Sequence, residues 1–175
     1  MSVKITTKVN KFPEMQGRID NLNGRKIKVG VTGENAWLAS IHEYGCKITI
    51  TPKMRAWLRS NGLPVRASTN HITIPERAFL RGGFDNCHDE ISKKITLLLP
   101  NVIKGSLSEK TFYTTVGELF KDRIQDYADD LKTPPNHPFT IERKRSSNPL
   151  VSSGDMINSI SYEVELWVNY MILQD

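Results

Sequence analysis

Two stretches of the chain alternate apolar and polar residues with a period of two. In RKIKVGVTG, which begins at Arg25, every second residue from Ile27 to Val31 is apolar, and SISYEVELWV repeats the pattern from Ile160 to Leu166. This period places one set of side chains on one face of an extended chain, as is typical of half-buried strands. We predict a strand at each place.

Helical periodicity is clearest after Ser108. The apolar positions of this stretch, with Arg123 as an interruption, are Phe112, Val116, Leu119, Phe120, Tyr127 and Leu131. Because their spacing of three or four residues puts them on one stripe of a helix, they can face a core together. The pattern predicts a helix that begins at Ser108 and runs for about 24 residues, or about 35 Å.

A second helix is predicted before this one. Its apolar face consists of Ile91, Ile95 and Leu98. Asp85 or Asn86 precedes this face and can cap the first turn, because a short polar side chain accepts from free backbone N–H groups there. Pro100 and Gly105 mark the predicted end.

A short third helix is predicted from Asn35, as its cap, to Tyr44. Gly45 follows, and glycine readily adopts the left-handed conformation that ends many helices. A fourth, shorter helix opens at Ser153 or Gly154 and runs through Asn158.

Two long segments separate these elements. Residues 47–75 contain the pieces ITIT and HITI around a basic helical turn, which indicates a hairpin-like insertion with further structure at its tip. Residues 132–152 hold four prolines and too little apolar periodicity for an element, which predicts an extended loop. We therefore predict one α+β domain over residues 1–175, in which a small, mainly antiparallel sheet packs against two longer helices.

The charge balance is mildly basic. There are 24 Lys and Arg against 19 Asp and Glu, a net charge of +5, which indicates a nucleic-acid partner only weakly. The two cysteines are far apart and no apolar run follows the first Met, which favours a reducing compartment. No window approaches the roughly 20 apolar residues that cross a bilayer, so we expect a soluble protein without a membrane partner.

Reactive side chains cluster in the stretch WLASIHEYGCKITI, where His42, Glu43 and Cys46 are close neighbours. A closed zinc site needs paired ligands at short spacing, but the chain has no CxxC or HxxxH pair, and Cys87 and His88 are adjacent. No third group is placed to orient a base, and the glycine-rich RGGFD lacks the Lys and Ser or Thr of a phosphate-binding loop. We predict no enzymatic activity, no metal and no cofactor.

Three carboxylates lie near the end of the long predicted helix, at Asp126, Asp129 and Asp130. The arrangement is locally unfavourable, because like charges repel and the helix dipole disfavours anions at this end. One interpretation is a solvated helix end balanced by nearby Lys and Arg. The other pairs the carboxylates with a basic run on a neighbouring subunit. The basic run consists of Arg143, Lys144 and Arg145.

Several motifs together resemble a known family. They are LASIHEYG from Leu38, ITPKMRAWL from Ile50, HITIPERAFLR from His71, TVGELF around Gly117, and PPNHPFTIERKRSSNPLVSSGDMINSISYEV from Pro134. In this order they resemble the virion morphogenesis proteins of tailed bacteriophages, which act as neck or tail-completion proteins in head–tail joining. The resemblance covers most of the chain, and the last motif is its most specific part.

The resemblance implies a structural role without chemistry. It implies a small α/β subunit that forms a homo-oligomeric ring, such as a hexamer, in the virion neck or tail after assembly in the host cytoplasm. Its expected partners are the tail terminator, tail tube or head–tail connector proteins. Under this interpretation His42 and Glu43 end a packing helix, and Tyr44 buries its ring.

A ring needs two different contact patches on each subunit, because its interfaces join unlike surfaces. One candidate is the basic insertion, with Trp57, Leu58 and Arg59. The other is the loop after residue 132, with Phe139 and Ile141 as apolar anchors beside the basic run. An alternative function is a nucleic-acid-binding module, in which the basic run contacts phosphates of the genomic DNA in the channel.

Overall fold

The computed structural model describes residues 10–166, which adopt an α+β fold, as predicted. The helices of this part are α1 Phe12–Asn23, α2 Ala36–Tyr44, α3 Pro52–Ser60, α4 Phe79–Lys104, α5 Glu109–Asp130, α6 Pro138–Lys144 and α7 Asp155–Asn158. The strands are β1 Arg25–Val31, β2 Cys46–Thr49, β3 His71–Ile74 and β4 Ile160–Leu166. The long helices α4 and α5 pack against the small antiparallel sheets.

The chain forms two compact units. Unit 1 contains the described residues of Met1–Val29, Asp89–Leu119 and Tyr162–Asp175, and unit 2 contains Gly30–His88 and Phe120–Ser161. None of the helices within residues 10–166 combines the length and the apolar character required to cross a membrane.

Unit 1 is organised around the pair of strands β1 and β4. Lys28 of β1 and Glu165 of β4 form an ion pair of 2.7 Å, and the Tyr113 hydroxyl of α5 donates to the Leu22 carbonyl of α1 at 2.8 Å. Gly117 of α5 lies directly against the ring of Tyr162, and a Cβ added at this position would overlap the ring. The glycine therefore sets how closely α5 approaches β4.

Unit 2 contains the predicted hairpin. β2 and β3 pair antiparallel from Cys46 opposite Ile74 to Thr49 opposite His71, and α3 lies in the connection between them. The core of this unit includes Leu58, Phe79, Ile124, Ala128, Leu150, Met156 and Ile157. The hairpin-like insertion is confirmed, because matched β-branched ends pair while the residues between them form a helix.

The α4–α5 contact of unit 2 depends on two glycines. A Cβ at Gly82 would lie 2.6 Å from the Tyr127 hydroxyl, and one at Gly83 would lie 3.2 Å from Ile124. These glycines weaken the local helix signal, since glycine is a poor helix former, while they permit the close approach of the helices. The predicted start of α4 at Asp85 or Asn86 is wrong for this reason, because the helix begins at Phe79.

Other element boundaries were predicted with mixed success. Both strands and the end of α4 at Gly105, with φ +81°, are confirmed, although Pro100 lies inside α4 rather than at its end. Ser108 caps α5 by accepting from the Thr111 N–H at 3.0 Å. The Asn35 side chain makes no cap, and its Nδ2 donates to the Asp155 carbonyl at 3.4 Å.

Two helices were not predicted. α1 buries none of its residues fully, although apolar residues at helical spacing run from Phe12 to Leu22, so its sequence does carry the periodicity of a helix. α6 lies inside residues 132–152, where the sequence predicts an extended loop without an element, and that part of the prediction is wrong. Trp167 and Val168, the last residues of the second predicted strand, lie outside the described residues.

Candidate functional sites

The motif HEYG joins α2 to the start of α4 through Glu43. This side chain is 3 % exposed. Its carboxylate accepts from the backbone N–H groups of Leu80 at 2.8 Å and Arg81 at 3.2 Å, and from Arg81 Nε at 2.8 Å. The first N–H groups of a helix have no partner within the helix and carry partial positive charge. Glu43 therefore caps α4 from a different element.

Arg81 completes what we call the Glu43 junction, namely Glu43, Glu76 and Arg81. Its Nη2 donates to the Glu43 carbonyl at 2.9 Å and to Glu76 Oε1 at 2.8 Å. The hydrogen bonds to Glu43 and Glu76 raise the pKa of Arg81 above its usual range. The guanidinium lies 4.9 Å from the centre of the Tyr44 ring, which is 67 % exposed. The prediction that Tyr44 buries its ring is therefore wrong.

Gly45 brings two segments of the junction into contact. Its φ is +70°, which confirms the predicted need for glycine after α2. A Cβ at this position would lie 2.8 Å from the Glu76 nitrogen and 2.9 Å from the Ile74 carbonyl oxygen. Within the HEYG motif, Gly45 therefore allows two backbone segments to lie in close contact, and Glu43 caps α4.

A cleft of about 360 Å³ lies on the other side of the motif, and we call it the Arg77 cleft. Arg77 is 5 % exposed. Its guanidinium contacts three neutral acceptors: Nε donates to the Pro134 carbonyl at 3.1 Å, Nη2 to Asn136 Oδ1 at 2.9 Å, and Nη1 to His42 Nδ1 at 2.8 Å. Since an arginine carries no acceptor, His42 Nδ1 must be the unprotonated nitrogen of the ring.

His42 and Lys144 share this cleft with Arg77. Burial, followed by the charges of Arg77 and Lys144, lowers the pKa of His42 from 6.5 to about 4, so the imidazole is neutral at pH 7. Lys144 donates to the Pro149 carbonyl at 3.1 Å. Burial and the charge of Arg77 lower the pKa of this amine as well. The cleft therefore holds two cations close enough to influence each other.

A cleft of unit 1, of about 480 Å³, has a different character. It is lined by the charged Arg25, Glu109 and Lys110 and by the rings of Tyr113 and Tyr162. Because charges of both signs line it, this cleft has no strong preference for an ion of either sign.

The predicted interface residues of the insertion and the loop meet at Arg143. The Arg143 guanidinium lies 5.4 Å from the Trp57 ring and 5.5 Å from the Phe139 ring, and it donates to Asn61 Oδ1 at 3.0 Å. Trp57 is 50 % exposed. We call the side chains of Trp57, Phe139 and Arg143 the Trp57 surface. The structure thus joins two segments that the sequence suggested as separate patches.

The remaining predicted interface residues lie in different environments. Leu58 is 4 % exposed and belongs to the core, which leaves it unavailable as a surface anchor, whereas Arg59 on the same helix is exposed. Ile141 of α6 is half-buried. Arg145 is exposed at the end of α6 with φ +54°. The basic run therefore points in several directions.

The three carboxylates at the end of α5 are exposed. Asp126 pairs with Arg123 at 3.2 Å, as the interpretation of a locally balanced helix end requires. The Asp129 carbonyl accepts from Asn148 Nδ2 at 2.6 Å, but within residues 10–166 the carboxylates of Asp129 and Asp130 form no ion pair. Their predicted pairing with a neighbouring subunit stays a prediction.

Residues with metal-binding or nucleophilic side chains are dispersed. Among the described residues, no group of three or more His, Cys, Asp or Glu side chains is placed to hold a metal ion. Cys46 is half-buried and Cys87 is buried, and neither forms a disulfide within residues 10–166. The Cys87 thiol donates to the Phe84 carbonyl at 3.6 Å.

Sequence reasoning missed Arg77 and the capping role of Glu43. Both are charged residues beside apolar core residues, such as Phe79, which is fully buried. A charged residue close to core residues is the signal that could have indicated their burial. Local spacing alone, however, does not show whether a charged side chain faces the core or the solvent.

Comparisons of this chain with family models, with curated proteins and with solved structures found no match. The function of the chain must therefore be inferred from the contacts and chemistry of its residues, together with the motif resemblance.

Proposed function

We propose that this protein is a structural component of a tailed-phage virion that completes the tail or neck and promotes head–tail joining. It does so by forming a ring with its own copies and by contacting neighbouring neck or tail proteins. The motif resemblance supports the phage role. The Trp57 surface supports assembly, and it is the observation that carries the proposal.

The Trp57 surface has the residue types that dominate binding energy at protein interfaces. Trp and Arg are enriched among residues whose truncation costs the most affinity. The Arg143 guanidinium lies over the rings of Trp57 and Phe139 and donates to Asn61 Oδ1, so its long side chain is already constrained. Ordering before binding lowers the entropy cost of association.

A ring requires a second, different patch on the same subunit. Because the Trp57 and Phe139 segments form one surface, they cannot supply both patches. The second candidate is on α2, where Trp37 is 73 % exposed and Leu38 is 39 % exposed. We propose that the Trp57 surface of one subunit meets the Trp37 patch of the next.

Two single variants test this arrangement in solution. Trp57→Ala and Trp37→Ala should each lower self-association about 30-fold or more, as measured by sedimentation velocity. Mixed together, they should form a dimer and stop, because each variant keeps the patch that the other lacks. Leu97→Ala is the matched control, since Leu97 is 67 % exposed in unit 1 and should not matter. Full assembly of both variants would contradict the ring interface.

The virion role needs a separate experiment. Electron microscopy of lysates made without the gene should show tails and filled heads that have not joined, and complementation with the gene should restore virions. Infectious progeny of normal morphology without the gene would contradict the neck proposal.

A specific observation weakens the nucleic-acid alternative. Arg143 is stacked on aromatic rings and Lys144 donates to the Pro149 carbonyl, so the basic run is not one phosphate-binding face. Few phosphates can then be neutralised, and binding that releases few counterions depends weakly on salt. Steep salt-dependent retention of DNA by the purified protein would favour the alternative instead.

A further inference from the structure

The Arg77 cleft contains cations without a matching anion. The positively charged Arg77 and Lys144 line it beside the neutral His42, and no Asp or Glu is among the described residues that do so. Arg77 forms no ion pair within residues 10–166. A buried charge without an opposite charge is unfavourable. The cleft therefore has a net positive charge that lacks an anionic partner.

Arg77 and Lys144 have more N–H groups than their recorded hydrogen bonds use. Each Nη nitrogen of a guanidinium carries two N–H groups, and each Nη of Arg77 uses one of them, toward His42 and Asn136 respectively. The Lys144 ammonium has donors beyond the one that reaches Pro149. A planar oxyanion can accept from a guanidinium in two parallel hydrogen bonds, which is the geometry that favours a carboxylate.

The walls of the cleft fit a peptide. They include apolar side chains from Leu38, Ile72, Ile74 and Leu150. The consecutive residues of β3 line the cleft from Ile72 to Pro75, and β3 pairs only with β2 among the described strands. An unpaired strand edge can bind an extended peptide through backbone hydrogen bonds, with specificity supplied by side-chain pockets.

We infer that the Arg77 cleft binds an extended acidic peptide segment of a partner protein, with a peptide carboxylate on Arg77 and Lys144 and the peptide backbone along β3. The carboxylate supplies the charge that the cleft lacks. Apolar neighbours of the acidic residue contact the walls. This inference goes beyond the proposed neck role. The cleft and the Trp57 surface consist of different residues, whereas Leu38 belongs both to the cleft lining and to the Trp37 patch. Variants of Lys144 therefore test the cleft without changing either ring patch.

The probe is a capped five-residue peptide, valine–threonine–glutamate–valine–threonine. It is compared with the same peptide carrying glutamine in place of glutamate, and with inorganic phosphate. Binding to the full chain is measured by isothermal titration calorimetry at pH 7. The glutamate peptide should bind about tenfold or more tightly than the glutamine peptide, because hydrogen bonds to a charged group are stronger than neutral ones.

Lys144→Met tests the site itself, because it removes one cation and keeps most of the side chain. It should lower affinity for the glutamate peptide about tenfold and leave that for the glutamine peptide unchanged, and Lys144→Arg should restore binding. Lys132→Met is the matched control, since it removes the same charge from an exposed residue outside the cleft lining. Thermal melting of each variant establishes that it is folded.

The outcomes separate the possible ligands. Equal binding of both peptides, or equal loss in the two Met variants, overturns the carboxylate site. Phosphate binding at Lys144 without peptide binding also overturns the inference, because it marks a site for free anions. No binding of any probe to the folded chain overturns it as well.

Discussion

The Glu43 junction and the Arg77 cleft differ in whether a buried charge has a partner of opposite charge. Both belong to unit 2, and Glu43 and Arg77 are almost equally inaccessible, at 3 % and 5 % exposure. Glu43 meets a guanidinium and two backbone N–H groups, whereas Arg77 meets only neutral acceptors. Glu43 meets its partners within the chain, so that removing it should be costly, whereas Arg77 lacks an opposite charge that another molecule could supply.

The largest effect on stability is expected at Glu43, whose charge is paired within the chain. Glu43→Ala should lower the free energy of unfolding by about 3 kcal/mol, because it removes the acceptor of three donors, namely the N–H groups of Leu80 and Arg81 and the Nε of Arg81. Urea denaturation measures the change. Glu43→Gln keeps one acceptor oxygen and should cost less. If Glu43→Ala unfolded at the urea midpoint of the unchanged protein, Glu43 would not be the cap on which α4 depends.

A pH effect is expected from the Arg77 cleft, because burial, followed by the charges of Arg77 and Lys144, opposes protonation of His42. The unfolded chain takes up the proton as pH falls through 6.5, while the folded protein takes it up only near pH 4. The unfolded state therefore binds more protons between these values, so stability falls as pH decreases from about 6.5 to about 4. The loss should be about 2–3 kcal/mol from this residue.

His42→Asn isolates that contribution. Asparagine can place an acceptor near the position of Nδ1 but does not titrate, so the difference between the two stability curves should grow as pH falls below 6.5. Denaturation series at pH 7, 6, 5 and 4.5 measure it. Parallel curves over this range would show that the ring is not held neutral by its surroundings.

A smaller effect is expected at the exposed margin of the junction. Tyr44→Ala removes the ring beneath Arg81 and should lower stability by about 0.5–1 kcal/mol, since a cation–π contact at an exposed site is weak. Tyr44→Phe keeps the ring and should change little. A loss of several kcal/mol in the Ala variant would mean that the ring supports the buried part of the junction as well.

The smallest effect is expected at Glu76, whose ion pair with Arg81 is exposed on both sides. Glu76→Gln should cost about 0.5 kcal/mol or less, and added salt should reduce the difference further. Thermal melting at low and high salt measures it. A salt-independent cost as large as that of Glu43→Ala would remove the distinction between the buried and exposed parts of the junction.

The elements that the sequence predicted well are those determined by nearby residues. Alternation identified β1 and β4, and a local cap and stripe identified α5. The first turns of α4 were missed because Gly82 and Gly83 weaken the local helix signal and because the cap, Glu43, lies 37 residues before Leu80. α6 was missed because its short helix lies among prolines.

In the candidate sites, too, features that depend on nearby residues were predicted and features that depend on distant residues were not. Residue types alone suggested Trp57, Phe139 and Arg143, but their convergence depends on contacts such as that between Arg143 and Asn61, which are 82 residues apart. Arg77 was missed because its burial follows from the approach of Pro134 and Asn136. Nothing in its immediate sequence requires that approach.

The position of Glu43 also bears on the order in which the protein folds. The ribosome synthesises the chain from its N-terminus to its C-terminus. The Glu43 carboxylate is therefore present before the backbone N–H groups of Leu80 and Arg81 that donate to it. The β2–β3 hairpin between them can bring the two together as soon as α4 emerges. This junction can therefore close while Phe120–Ser161, the second segment of unit 2, is still being translated.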